Sequence, residues 1–259
     1  MMGYLRELYQ YREMIVSLVR KDLRGRYKGS VLGFLWTFLN PLLQLIVYTV
    51  VFSHIMRSNV EHYALHLFAA LVPWMFFSSA LTTGARLILD QKNMIKKIYF
   101  PRAVLPIAYT LSSFCNMLFA FVIVFAVLLL SGRGIVAEAV IYLPVVLGIQ
   151  LMLVLGVNLI TASVTVYWRD LEHMMGVIGM AWMYLTPVVY SIDLIPLQWR
   201  QLYLLNPMAP LILAYRSILY DGVPPAPALL LRGFLMAAVI LPMGAFLFGR
   251  LQKRFAEVL

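Results

Sequence analysis

The sequence predicts an all-α integral membrane protein with six transmembrane helices, and three observations carry that reading. Of its 259 residues, 63% are hydrophobic and 12% charged, with a mean hydropathy of +0.86; soluble domains carry roughly 25% charged residues. The apolar residues gather into runs near the ~20 residues that a helix needs to cross the hydrocarbon core. The cations are sorted by loop. Sixteen of the 21 Lys and Arg residues lie before the first run, in the 86–102 segment, in the 167–173 connection or in the C-terminal tail. Loops rich in Lys and Arg stay in the cytoplasm, so both termini are expected there. This sorting accounts for the net charge of +10 without nucleic acid.

Residues 1–30 read as an N-terminal interface segment and 31–259 as one membrane domain. From Met1 to Arg24 the apolar side chains Leu5, Leu8, Tyr9, Ile15, Val16, Val19 and Leu23 follow helical spacing. Arg6, Glu7, Arg12, Glu13, Lys21 and Arg24 take the other side. Such a helix lies in the plane of the membrane surface or packs on a partner. Five cations between Arg20 and Lys28 then form a collar against span 1, Val31 to Met56, where Asn40-Pro41 predicts a kink. About thirty residues precede this run and no small-residue cleavage site follows it, so it is expected to remain as a span rather than leave as a signal peptide.

Span 2 is expected over about 65–89, with Pro73 inside. The basic 86–102 segment follows, with helical spacing at Leu87, Met94, Ile95 and Ile98 and a stop at Pro101. Span 3 is Val104 to Leu130, ended by the Ser-Gly-Arg-Gly turn at 131–134. Spans 4, 5 and 6 are expected over about 140–166, 174–192 and 228–248. Between the last two, residues 193–227 hold apolar pieces too short to cross, broken by six prolines. Two short helices dipping back into the membrane are the expectation there, a re-entrant hairpin before the last span.

Several side chains invite chemistry. Glu61-His62-x-x-x-His66 has the i, i+4 histidine spacing of a helical metal site, but it lacks a further ligand, so polar loop residues are the reading and no metal is expected. Cys115 stands alone in an apolar run, where it packs as a small apolar group. Arg216, in an apolar setting, needs a partner or water; Asp193 and Asp221 are the candidate ion pairs. An integral membrane enzyme would need carboxylates or a His/Glu cluster brought together, and the eleven acids are scattered, with only Asp170 and Glu172 close. No Gly-x-x-x-x-Gly-Lys-[Ser/Thr] loop occurs, so no catalytic site and no resident cofactor is expected in this chain.

The stretch Arg20-Lys21-Asp22-Leu23, Arg26-Tyr27-Lys28, Ser30, Leu32-Gly33, Leu35-Trp36, Leu39 and Pro41-Leu42 resembles the first segment of ABC-2 type permeases that export cell-surface polysaccharides: O-antigen, capsule and wall teichoic acid. The resemblance covers essentially the whole chain. It implies a bacterial cytoplasmic-membrane homodimer working with two copies of a separate subunit that binds ATP and Mg. Its cargo would be a lipid-linked polysaccharide. The cytoplasmic loops of such permeases dock on the ATPase, which assigns Asp90, Lys92, Lys96, Lys97, Tyr99, Arg169, Asp170 and Glu172 to coupling. Spans 1 and 5 line the path, which assigns Trp36, Tyr48, Trp182 and Tyr184 as aromatic faces for sugar rings. Arg26, Lys28 and Arg86 sit at headgroup level, where a lipid pyrophosphate or ordinary lipid would meet them. A drug or lipid cargo keeps the architecture and remains the alternative.

Overall fold

The computed structural model describes residues 8–25, 29, 31–55, 60–132 and 134–259. All regular structure among them is helical. In chain order the helices are α1 Arg12–Gly25, α2 Trp36–Thr49, α3 Tyr63–Leu81, α4 Thr83–Asp90, α5 Lys92–Lys97, α6 Val104–Leu130, α7 Ala137–Val140, α8 Leu143–Tyr167, α9 Leu171–Tyr184, α10 Leu197–Tyr203, α11 Met208–Arg216, α12 Pro227–Leu251 and α13 Phe255–Val258.

Five helical stretches among the described residues are long and apolar enough to cross a bilayer: Gly33–Ser53, Tyr63–Lys97, Val104–Leu130, Ala137–Tyr167 and Pro227–Arg254. A bent pair, Leu197–Tyr203 with Met208–Asp221, makes a sixth if taken as one span; its halves meet at 110°. The boundaries expected for span 3 coincide with α6. Its end is a turn in which Gly132 and Gly134 take φ of 75° and 73°, a region that glycine enters without a Cβ clash.

One expectation needs correction. The run 174–192, expected as span 5, is not one helix: α9 holds only 14 residues and stops at Tyr184, with turns following. At ~1.5 Å per residue it is about 21 Å long, short of ~30 Å of hydrocarbon. Pro187 explains the stop, because it lacks an N–H and disfavours helical backbone at Thr186 before it. In the first span, the helix runs through the buried Pro41, and its winding changes later, to a π-helix over Val50–Ile55.

α3 is the central helix. Most of its side chains are buried, and α2, α6, α8, α9 and α11 pack around it. A second apolar cluster sits at the basic end of the bundle, where Ile95, Phe100, Val104, Val166, Phe248 and Phe255 come together. The N-terminal segment packs there through Leu8, Tyr11, Met14, Ile15 and Leu18, while the Asp22 carboxylate accepts a hydrogen bond from Ser112 of α6. Its inward face is therefore rotated from the expected one, leaving Tyr9 and Val16 exposed.

The closest helix pair is α8 with α12, and small residues make it possible. A Cβ on Gly244 would lie 2.4 Å from the Gly156 carbonyl oxygen, and one on Gly156 would lie 2.8 Å from the Leu241 Cα. Backbones approach this closely only where a side chain is missing. Gly244→Ala is expected to force the pair apart and cost about 1–3 kcal/mol. Gly148→Ala, which meets nothing within 4 Å, is the control. Thermal unfolding in mild detergent should show a lower Tm for the first variant alone.

Candidate functional site

At the basic end, the loops singled out in the sequence converge. Ile95 and Phe100 are buried and pin α5 and the segment after it to the bundle. That leaves Lys92, Lys96 and Lys97 exposed, and Tyr99 is 85% exposed. Arg169 and Asp170, in the turn before α9, are exposed as well. Arg86 joins the two loops: its guanidinium lies 3.9 Å from Asp90 and 3.1 Å from Glu172. Arg86 is thus engaged by carboxylates of both α4 and α9, whereas Arg26 and Lys28 lie outside the described residues. The C-terminal segment closes this end, since Arg102 donates to the Gln252 carbonyl and the Tyr167 hydroxyl donates to that of Leu251 at 2.8 Å.

Along the bundle, α2 and α9 lie against α3 and leave a groove of about 390 Å³. Gln44 of α2 borders it, Ser78, Thr82 and Thr83 form its floor, and Gly176, Gly179 and Met180 of α9 form the opposite wall. Tyr48 spans the two walls, its hydroxyl 3.8 Å from the Met183 sulfur. Tyr184 lies within electrostatic reach of Tyr48 and is half exposed. Trp182 turns inward instead, edge-on to Phe77 with ring centroids 5.1 Å apart. Trp36 stands in a different cavity of about 390 Å³, between α2, α3 and α6, with Asn40, Ser113 and Asn116. Of the four aromatics assigned to the path, the structure therefore brings Tyr48 and Tyr184 together and sets the two tryptophans apart from them. The floor hydroxyls had no place among the candidates. Their signal is the Ser78-Ser79…Thr82-Thr83 spacing, which puts polar pairs four residues apart on one face of an otherwise apolar helix.

The end of α9 is held from outside by side chains. Asn206 Oδ1 accepts from the Trp182 indole at 2.9 Å and from the Met208 amide at 3.1 Å. Its Nδ2 donates to the Leu185 carbonyl at 2.9 Å and the Thr186 hydroxyl at 2.8 Å. The Tyr190 hydroxyl donates to the Tyr184 carbonyl, and the Tyr63 hydroxyl to that of Val189. Arg216, 4% exposed, donates to three carbonyls: His66 at 3.3 Å, Tyr190 at 2.9 Å and Val188 at 2.7 Å. The expected Asp193 ion pair is not made, because Asp193 pairs with Arg200 at 3.2 Å on its own short connection. Asp221 contributes attraction to Arg216 at longer range. The two histidines part company: His62 is exposed with a φ of 46°, and His66 is buried with its ring edge-on to Tyr220. No group of three metal-capable side chains occurs among the described residues.

Comparison with known proteins gives a consistent picture. The family model described as ABC-2 type transporter matches residues 13–220. An O-antigen export system permease protein, RfbA, of Myxococcus xanthus is 36% identical, over 99% of each chain. One of the same name from Klebsiella pneumoniae is 31% identical, over all of this chain and 97% of its own length. The capsule polysaccharide export inner-membrane protein CtrC of Neisseria meningitidis is 21% identical, over 80% of this chain and 78% of its own.

The network at the end of α9 gives a direct expectation. Arg216→Met keeps the volume but strips the donors from three carbonyls, at about 1–3 kcal/mol for each one left dry. The variant should lose most of its folded yield after detergent extraction. Arg232→Met, which removes one exposed hydrogen bond to Gln201 at 3.0 Å, should change the Tm little.

Proposed function

The chain belongs to the ABC-2 type transporter family, and we propose that it is the membrane permease of an ATP-driven exporter of lipid-linked cell-surface polysaccharide. The observation that carries this reading is similarity along the full length to permeases named for O-antigen export. Those names, with the capsule protein, favour O-antigen or capsule over wall teichoic acid as the cargo class. In this reading the chain does no catalysis. ATP and Mg belong to a separate subunit, and closure of that subunit on ATP is the power stroke.

The working unit is a homodimer of this chain with two ATPase subunits. The exposed apolar stripe on α9, with Val177 70% and Met180 69% exposed ahead of Tyr184, supports a neighbour on the groove side. So do Leu43, Ile46, Val47 and Val50 at the edge of α2. Both termini face the cytoplasm, with the basic end inside, as the distribution of cations supports. The N-terminal helix lies at the inner surface, and the basic stretch that follows it in the sequence, with Arg26 and Lys28, is the part that would meet a lipid-linked pyrophosphate. The bent pair α10–α11 re-enters from the outer face and closes the bundle there. The polymer moves between α2 and α9, past Tyr48 and Tyr184.

Coupling runs through the exposed Lys92, Lys96, Lys97 and Tyr99, with Arg169 and Asp170 beside them. Arg86 and Glu172 pass that motion from α4 to α9, which carries one wall of the path. Co-purification tests the assembly: expressed with its cognate ATPase, the chain should come out of mild detergent as a two-plus-two complex. Lys96→Glu with Lys97→Glu should abolish association or ATP turnover, and a complex unaffected by this reversal would remove the coupling assignment. For the Arg86–Glu172 link, Arg86→Glu and Glu172→Arg should each uncouple ATP turnover from export, and the double swap should recover much of it. Equal loss in the double variant would count against the link.

A further inference from the structure

Hydroxyl groups are costly in a membrane span unless something polar meets them. The floor of the groove between α2, α3 and α9 carries Ser78 on the central helix and Thr82 and Thr83 where it passes into α4, with Gln44 across from them. Thr82 is satisfied by its own helix, donating to the Ser78 carbonyl at 3.0 Å. The side chains of Gln44, Ser78 and Thr83 make no hydrogen bond among the described residues, so their donors and acceptors are open to a ligand in the groove. The groove is also uncharged. No Lys or Arg lines it, and Arg86, three residues past Thr83 on α4, is engaged by Asp90 and Glu172. Opposite the hydroxyls, Gly176 leaves open space where a side chain would stand. Met180 adds a flexible thioether that adapts to irregular shapes.

We infer that this groove is a contact site for the neutral hydroxyl groups of a carbohydrate chain, with Gln44, Ser78 and Thr83 exchanging hydrogen bonds with successive sugar units. The inference rests on the export reading and adds to it a polar strip at the junction of α3 and α4, in addition to the flanking aromatics. It also sets a preference. A phosphodiester polymer would find no cation along the strip, whereas a hydroxyl-rich neutral glycan finds donors and acceptors that replace its water. Contacts of this kind are individually weak, at about fivefold in affinity for a hydrogen bond of ~1 kcal/mol, so a chain held by them can slide.

Occupancy is tested by a thiol placed in the groove. Ser78→Cys is made in a Cys115→Ser background and co-expressed with the cognate ATPase in cells that synthesise a lipid-linked neutral homopolysaccharide, or do not. Labelling by a small hydrophilic maleimide should be several-fold slower in cells making the polymer; equal rates overturn the site. In parallel, Gly176→Leu fills the groove into open space. It should abolish surface polymer while the complex still assembles, with Gly148→Leu as the control of equal bulk. Normal export by Gly176→Leu overturns the site and leaves the export reading standing. If the chain without substitutions displays no surface polymer, the export reading falls and the site falls with it.

Discussion

Backbone at membrane depth must have its hydrogen bonds met by protein, and the rest of this structure can be read from how that demand is answered after Tyr184. A helix that ends inside a bilayer leaves carbonyls with neither a following turn nor water to satisfy them. Here Tyr63, Tyr190, Asn206 and Arg216 supply the donors, from α3, from the turn itself, from the connection before α11 and from α11. The early end of α9, the burial of a guanidinium and the sharp bend between α10 and α11 are thus one solution. Each needs the others. The same arrangement fixes where Tyr184 stands relative to Tyr48.

The remainder of the bundle divides into a tight part and a loose part. Gly156 and Gly244 bring α8 and α12 to backbone contact, and α3 is buried along nearly its whole length. α2 and α9 are different, since each shows a broad exposed apolar face and packs on α3 along one side. Motion driven from the basic end would move these two helices past a fixed partner. Arg86 bridges α4 and α9, with one carboxylate partner on each.

Much of this was legible in the sequence, for identifiable reasons. The span Val104 to Leu130 is an unbroken apolar run between a proline and a glycine-rich turn, so both ends could be read directly. The loops that the cations singled out do come together at one end of the bundle. The fifth span was misread because hydropathy continues through Leu185-Thr186-Pro187-Val188-Val189, and only the backbone chemistry of Pro187 stops the helix. Arg216 was recognised as needing partners, but three carbonyls from distant parts of the chain satisfy it, which no local pattern announces. The groove hydroxyls escaped notice because serine and threonine are common enough in apolar helices; what distinguishes these is a missing neighbour, visible only in three dimensions.

The shortness of α9 has a consequence for the lipid. A wall of about 21 Å beside neighbours long enough to cross fully creates a local mismatch, which a bilayer relieves by thinning at that place. A polymer following the proposed path between α2 and α9 would face a barrier shorter than the bulk membrane presents. Transport along that path would then depend on acyl-chain length, and thicker membranes would lengthen the stretch that α9 itself does not line.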